Sequence, residues 1–315
     1  MEGHIPVMAA EVADLLGPAL DADGAVLVDA TLGRAGHARA LLDAHPGLVL
    51  IGMDMDQTAI EESQRSLAPY ASRSTLVHAR YDELAEVLAG QRLSRVQGIL
   101  FDLGVSSPQL DDRDRGFAYS YDAPLDMRMD VSRPLTAADV VNTYPVDRLA
   151  AVLREFGEER FAGRIARALV RQRAVAPLSS TGQLTEIISA SIPAPARRTG
   201  GNPAKRTFQA LRIEVNGELE ALSRVLPLAM DALTPGGRIV VLAYHSLEDR
   251  IVKRTITERT TDTTPRGLPQ SLPGSRPHFR RLTRSALRPT EEEVAANPRA
   301  ASARLRAAER IDEAA

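Results

Sequence analysis

The sequence predicts an α/β fold, a mostly parallel sheet covered by helices and interrupted by an inserted helical stretch. Three observations lead there. Short apolar runs alternate with longer helical patterns through the first third of the chain. The first run passes into its helix through a turn carrying Gly33 and Gly36. Between Pro134 and Ser191 the alternation stops, and consecutive helical patterns follow, punctuated by Pro177 and closed by Pro193 and Pro195.

In order, the first strand is expected at Ala25 to Asp29, with a helix at His37 to Ala44. A second strand at Leu48 to Met53 precedes a helix at Thr58 to Leu67, and a third at Ser74 to His78 precedes one at Asp82 to Leu88. The fourth strand, Gly98 to Phe101, ends at Asp102. Helices are then expected at Ala137 to Asn142, Val146 to Phe156, Glu158 to Gln172 and Thr181 to Ile192. A long helix from Lys205 to Met230, with a break near Pro227, leads back to the sheet. A last strand, Arg238 to Ala243, follows the turn Pro235-Gly236-Gly237. The stretch from Thr261 to Pro277 reads as a mobile loop. The expected division is an α/β core of 1–112 and 206–290, a helical insertion of 113–205, and a mobile, helix-capable tail of 291–315.

With 315 residues, 44% of them hydrophobic, the chain can bury a sizeable core. No apolar run reaches the roughly 18 residues of a membrane span. The opening MEGHIPVMAAEV lacks the basic start and apolar stretch of a signal peptide, so a cytoplasmic protein is expected. The absence of cysteine agrees with a reducing compartment and excludes disulfides, thiolate zinc sites and a cysteine nucleophile. The net charge of −2 argues against bulk coating of nucleic acid. Its distribution is uneven, however: residues 251–290 hold nine basic side chains against two acids, and Arg197, Arg198, Lys205, Arg206 and Arg212 form a second basic stretch. Such clusters can grip phosphates. They also suit the solvated face of a helix in an arginine-rich chain.

The turn Asp29-Ala-Thr-Leu-Gly33-Arg-Ala-Gly36-His37 hands the first strand to the first helix. Glycine permits close backbone approach, and a helix start offers unpaired N–H groups, which suits a ligand lying across the strand ends. A plain tight turn explains two glycines equally well. The second strand then ends Gly52-Met-Asp54-Met-Asp56, with Asp54 roughly twenty residues beyond the glycines, where an acid can accept both ribose hydroxyls. Asp56 fits a helix cap better. The two acids lack further ligands at metal spacing, so no metal is expected. Because the turn is not G-x-G-x-x-G, an adenosyl group with a short amino-acid tail fits better than a nicotinamide dinucleotide.

The fourth strand ends in Asp102-Leu-Gly-Val-Ser-Ser-Pro-Gln109-Leu-Asp111. A carboxylate at that tip could orient an exocyclic amine and accept its N–H bonds; a turn-stabilising role is the alternative. His245-Ser-Leu-Glu-Asp249 follows the last strand. There His245 is a candidate contact to a target base, and Ser246 with Asp249 a candidate helix cap. No nucleophile elbow supports a Ser-His hydrolase. Arg115, Phe117 and Tyr119 are candidate covers for a base, with Phe117 equally suited to the core. Asp126-Met-Arg-Met129 reads as a structural joint from which Arg128 could reach phosphate.

Together with His4-Ile-Pro-Val-Met8, Arg115-Gly-Phe117, Pro124-Leu-Asp-Met-Arg-Met129, Asn202-Pro-Ala-Lys-Arg-Thr-Phe-Gln-Ala-Leu-Arg-Ile213, His245-Ser-Leu-Glu-Asp-Arg-Ile-Val-Lys253 and Pro289-Thr-Glu-Glu-Glu293, these motifs resemble the ribosomal RNA small-subunit methyltransferase H family (RsmH/MraW). The match runs over nearly the whole chain. The resemblance implies a class I, Rossmann-like methyltransferase core with an inserted helical domain. It also implies S-adenosylmethionine as donor and N4-methylation of a cytidine in the decoding region of 16S rRNA. Carried over by motif, the cofactor contacts are Ala35, Gly36, His37, Asp54, Tyr81, Asp102 and Gln109. Asp102 and His245 are the catalytic candidates, and Lys205, Arg206, Arg212, Lys253 and Arg254 the RNA-binding ones. The implied partner is 16S rRNA or the small ribosomal subunit, with no membrane; a homodimer is compatible. Three positions depart from the family pattern: Ala35 stands where glycine is usual, Tyr81 where phenylalanine is, and Gln57 where proline commonly follows the second Asp. A methyl at Ala35 is tolerable if its φ is negative, and Tyr81 keeps an aromatic face for the adenine. The competing functions are an RNA-binding assembly factor without turnover and an NAD-dependent oxidoreductase.

Overall fold

The computed structural model describes residues 6–105, 109, 112–197, 202–264 and 275–311. It divides into two units, residues 1–104 with 219–315, and residues 105–218.

The first unit alternates from its start: α1 (Ala9–Leu20), β1 (Val26–Asp29), α2 (Gly36–Ala44), β2 (Val49–Asp54), α3 (Gln57–Ser66), β3 (Ser74–His78), α4 (Leu84–Gly90) and β4 (Val96–Asp102). The second unit carries α5 (Ala137–Thr143), α6 (Val146–Gly157), α7 (Ala162–Arg173), α8 (Thr181–Ser191), a short α9 (Ala194–Arg197) and α10 (Lys205–Asn216). The chain returns through α11 (Glu218–Asp231), β5 (Leu233–Ala243), α12 (Ser246–Thr260), β6 (Phe279–Arg281), α13 (Glu291–Ala296) and β7 (Arg304–Arg310). The seven strands form one sheet in the order β3-β2-β1-β4-β5-β7-β6. β1 to β5 run parallel, while β7 lies antiparallel to both β5 and β6.

The apolar runs become strands because both faces of this sheet are buried. Leu27, Leu50, Leu100 and Val240 point to one face, where α1 and α2 contribute Val12, Leu16, Leu20, Leu41 and Leu42. Their neighbours Val28, Ile51, Ile99 and Val241 point to the other, against Leu84 and Leu88 of α4, Val225 and Ala229 of α11 and Val252 of α12. This is the period-two alternation of a strand, with apolar residues at every position. Strand order reverses between β1 and β4, so a crevice opens beyond their carboxyl ends, the usual ligand site of such sheets.

Two expectations about the return path are corrected. The helix from Lys205 breaks at Gly217, not near Pro227. Gly217 has φ +64° and closes α10 with the left-handed conformation glycine adopts cheaply, whereas Pro227 sits inside α11. Residues 291–311 are not a mobile tail: they form α13 and then β7, whose residues 304–309 pair one by one with β5 from Ala243 back to Arg238. Arg238 Nη2 lies 2.8 Å from Glu309 Oε2 across that pairing. The helix from Lys205 also falls in the second unit, where the sequence division placed it in the core. Of the Thr261 to Pro277 loop, residues 265–274 lie outside the described ones. Its two ends meet where Thr263 N–H donates to Ser275 O at 3.0 Å. No helix among the described residues is long and apolar enough to cross a membrane.

Inside the second unit two polar clusters are matched, although the buried Thr207 hydroxyl has no hydrogen-bond partner among the described residues. The buried Asn216 amide donates to Met127 O (2.8 Å) and Arg212 O (2.9 Å) and accepts from Met129 N–H (2.8 Å). Arg128 grips Asp126 through Nε (2.9 Å) and Nη2 (2.7 Å) and gives Nη1 to the carbonyls of Val131 and Arg133. Asp126-Met-Arg-Met129 is thus a structural joint, and the guanidinium offered above for phosphate is held by this loop instead. Phe117 is buried, and Tyr119 meets the Phe208 ring edge-on at 5.7 Å.

Candidate active site

The β1 tip carries Asp29, only 2% exposed, whose Oδ1 accepts from Thr31 N–H at 3.2 Å. Thr31 Oγ1 in turn accepts from the backbone N–H of Asp102 at 2.6 Å, stitching the β1 turn to the β4 tip. Gly33 is held from both sides: its N–H donates to Asp54 Oδ2 at 2.8 Å, and its carbonyl accepts from the buried Ser63 hydroxyl at 2.7 Å. Gly33 and Ala35 are both left-handed, at φ +53° and +59°. The negative φ that would make a methyl at Ala35 tolerable is therefore not the one adopted. Its fully buried methyl sits in a conformation costing roughly 1–2 kcal/mol for an L-residue, which explains why glycine suits the position. Gly36 needs no unusual φ; a Cβ there would come within 3.3 Å of Pro6 Cβ. His37, 6% exposed, brings Nε2 to 3.7 Å from Asp102 Oδ2.

Asp54 ends β2. Each of its oxygens takes one backbone N–H, Oδ2 from Gly33 and Oδ1 from Asp56 (2.9 Å). A carboxylate offers about four lone-pair sites, so acceptor capacity remains on both oxygens for a vicinal diol. Burial pushes its pKa up to about 6 against the pull of those N–H bonds. Burial does more at Asp29, pushing it to about 8, with Asp102 and Asp54 adding like charge. Asp56 caps α3 by accepting from Thr58 N–H at 3.1 Å.

Asp102 remains partly open, with 28% of its side chain exposed. Its Oδ1 accepts from the Tyr244 hydroxyl at 2.7 Å. Burial first, then the Asp102 charge, drive the Tyr244 phenol well above its ordinary range, so it stays a donor. Tyr244 is not among the residues singled out in the sequence, although it directly follows β5, beside His245. That histidine is the helix cap: Glu248 N–H donates to its Nδ1 at 3.4 Å, and Glu248 Oε2 accepts from the N–H groups of Tyr244 (2.8 Å) and His245 (3.1 Å). The cap thus sits one residue earlier than the expected Ser246 and Asp249 pair, and Asp249 instead pairs with Arg306 at 2.6 Å. With Nε2 3.1 Å from Glu248 Oε1, the His245 ring is bound into this cap. Tyr81 follows β3 and stands edge-on to Phe101, ring centres 6.0 Å apart.

Ala35, Gly36, His37, Asp54, Tyr81, Asp102 and His245 thus all belong to the first unit, at or just beyond strand ends. Gln109 belongs to the second and is buried; its motif neighbours 106–108, 110 and 111 lie outside the described residues, as does Arg198. Of the RNA candidates, Lys205 is exposed on α10, and Lys253 and Arg254 on α12. Arg206 donates to Glu158 O at 3.2 Å, and Arg212 forks onto Glu218 through Nε (2.9 Å) and Nη2 (2.8 Å). The structure therefore gives Arg212 a protein carboxylate in place of a phosphate.

The family profile described as "MraW methylase family" matches residues 1–311. The chain belongs to that family. A relative from Thermobifida fusca named "Ribosomal RNA small subunit methyltransferase H" is 62% identical over 98% of this chain and 94% of its own. One of the same name from Streptomyces avermitilis is 55% identical over 98% of each. Among solved structures, an rRNA methylase from Streptococcus thermophilus is similar at a TM-score of 0.45 and 12% identity, covering 98% of this chain and 100% of its own. As a methylase of this family the chain takes its methyl group from S-adenosylmethionine, which removes the nicotinamide reading. The residues present fit that donor: an ionisable, partly open Asp54 for the ribose diol, and the first turn of α2 for the amino-acid end.

Proposed function

We propose that this methylase methylates the N4 amine of a cytidine in 16S rRNA, in the decoding region of the small ribosomal subunit. The observation that carries the reading is Asp102: a partly open carboxylate at the strand-order switch, with one oxygen fixed by Tyr244 and the other 3.7 Å from His37 Nε2. The names of the relatives support ribosomal RNA of the small subunit as acceptor.

When bound, S-adenosylmethionine supplies a methyl group made electrophilic by its sulfonium. The work left to the chain is on the acceptor side. Cytosine N4 is a poor nucleophile because its lone pair is delocalised into the ring, so it has to be held in line and relieved of a proton. Asp102 can accept one N–H of the amine, orient the lone pair and take the departing proton. Tyr244, donating to the far oxygen, keeps the carboxylate in one rotamer while this happens. The base is reached by unstacking from its RNA context, as for other enzymes that act on a base.

The test uses methyl-labelled S-adenosylmethionine and small subunits from a strain lacking the enzyme, followed by nucleoside mapping. Label in N4-methylated cytidine is expected. Label absent from small-subunit cytidine, or present on another atom, overturns the assignment.

A further inference from the structure

Two motifs at opposite ends of the chain, around Pro6-Val-Met8 and Pro289-Thr-Glu-Glu-Glu293, take no part in the chemistry above. The structure brings them together on the cofactor loop. Met8 N–H donates to Glu293 Oε1 at 2.6 Å, across 285 residues of sequence. Pro6, two residues earlier, lies against Gly36, its Cβ, Cγ and Cδ 3.3 to 3.5 Å from where a side chain on Gly36 would begin.

The sequence around Glu293 makes the contact unusual. Thr290 caps α13 by accepting from Glu293 N–H at 3.1 Å, so Thr290 and Glu293 have the spacing of a capping box. In a closed box the glutamate would turn back to its own cap residue. Here its Oε1 reaches Met8, the left-handed cap residue (φ +52°) of α1. A negative side chain is favourable there, at the positive end of α1. Val7 and Met8 are buried in the same cluster as Leu32 and Ala35 of the cofactor loop. The segment 6–8 is therefore packed on the loop by apolar contact and fixed by one charged hydrogen bond.

From this we infer that Glu293 is a positioning residue for the cofactor loop: its carboxylate clamps residues 6–8 so that Pro6 holds Gly36 where the loop turns into α2. The lack of a side chain at Gly36 follows from this close approach and not from backbone conformation. The inference rests on the loop being the S-adenosylmethionine site.

The experiment compares Glu293→Ala, Glu293→Asp, Glu293→Gln and Glu292→Ala. It reads S-adenosylmethionine affinity by calorimetry, KM and kcat for methyl transfer, and hydrogen exchange at residues 35–38. Losing a charged hydrogen bond that orders the loop should weaken cofactor binding roughly five- to tenfold in Glu293→Ala, raising KM while kcat stays within about twofold. Glu293→Asp, too short to reach Met8, should behave like Ala, and Glu293→Gln, which still presents an acceptor, should recover most of the affinity. Glu292→Ala should match wild type, and exchange at 35–38 should quicken only in the Ala and Asp variants. Should Glu293→Ala not fold, the Asp and Gln pair carries the same comparison. Unchanged affinity in folded Glu293→Asp, or weakened affinity without faster exchange at 35–38, overturns the inference. No binding by the wild-type protein would instead overturn the cofactor reading, and the inference with it.

Discussion

At the tips of β1, β2 and β4 stand three carboxylates, Asp29, Asp54 and Asp102, and among the described residues no arginine or lysine pairs with Asp29 or Asp54. Inside the unit of residues 105–218, by contrast, Asp126 is gripped by Arg128, and Asn216 makes two hydrogen bonds to the loop it packs on and a third to Arg212 O of its own helix. The pKa directions differ accordingly. Burial drives Asp29 and Asp54 upward, whereas at Asp126 the hydrogen bonds and charge of Arg128 overcome burial and hold the carboxyl below its usual range. In the helical unit the Asp126 carboxylate and the Asn216 amide are matched and add order. At the strand tips Asp29 and Asp54 are buried without a basic partner, which costs stability where they ionise and is what a site built for a polyhydroxylated, positively charged donor should look like.

The comparison is broken most forcefully from the helical side. Asn216→Leu would strand Met129 N–H and Met127 O in a buried place and should destabilise the protein by about 3 kcal/mol. Chemical denaturation measures this, and the transfer rate per folded molecule should be little changed.

Next in size is Asp29→Asn. A carboxyl with a raised folded pKa costs stability when the solution would ionise it, so the cost is largest above about pH 8 and fades as pH falls toward the unfolded value near 4. The neutral amide can still accept from Thr31 N–H. It should therefore raise the unfolding free energy most at alkaline pH, by on the order of a few kcal/mol, and progressively less toward pH 5, as denaturation across that pH range measures. An equal gain at all pH values would contradict the ionisation account.

Asp54 gives a smaller, ligand-linked effect. If its ionised form accepts the ribose hydroxyls, cofactor affinity should be flat above about pH 6 and fall below it, approaching tenfold per pH unit. Calorimetry across that range checks it. The smallest effect is Ala35→Gly. It relieves the left-handed strain but frees the unfolded chain, so the net gain should be no more than about 1 kcal/mol, with transfer intact.

The sheet was legible because strands buried on both faces must be apolar at every position, as in Val26-Leu-Val28 and Ile99-Leu-Phe101. That the glycine turn and Asp54 come together was legible from spacing, since Gly33 N–H donates to Asp54 where the two turns meet. β7 was not. Its Arg-Leu-Arg-Ala-Ala-Glu-Arg run has helix-favouring residues, and pairing with β5 together with the Arg238–Glu309 contact overrides that preference. The backbone at Ala35 left no trace in residue type, because a substituted glycine hides the φ it inherits. Tyr244 was passed over for its histidine neighbour, since which of the two faces Asp102 depends on how α12 is capped.

The contrast between satisfied and poised acids comes to its sharpest point at Asp102, and Asp102→Asn tests it most directly. The measurement is S-adenosylmethionine affinity beside single-turnover methyl transfer to small subunits in the same preparation. If Asp102 handles the amine proton, affinity should stay within a few-fold while the transfer rate falls about a hundredfold or more. Transfer at the wild-type rate, or loss of binding with no separate loss of rate, would contradict the account.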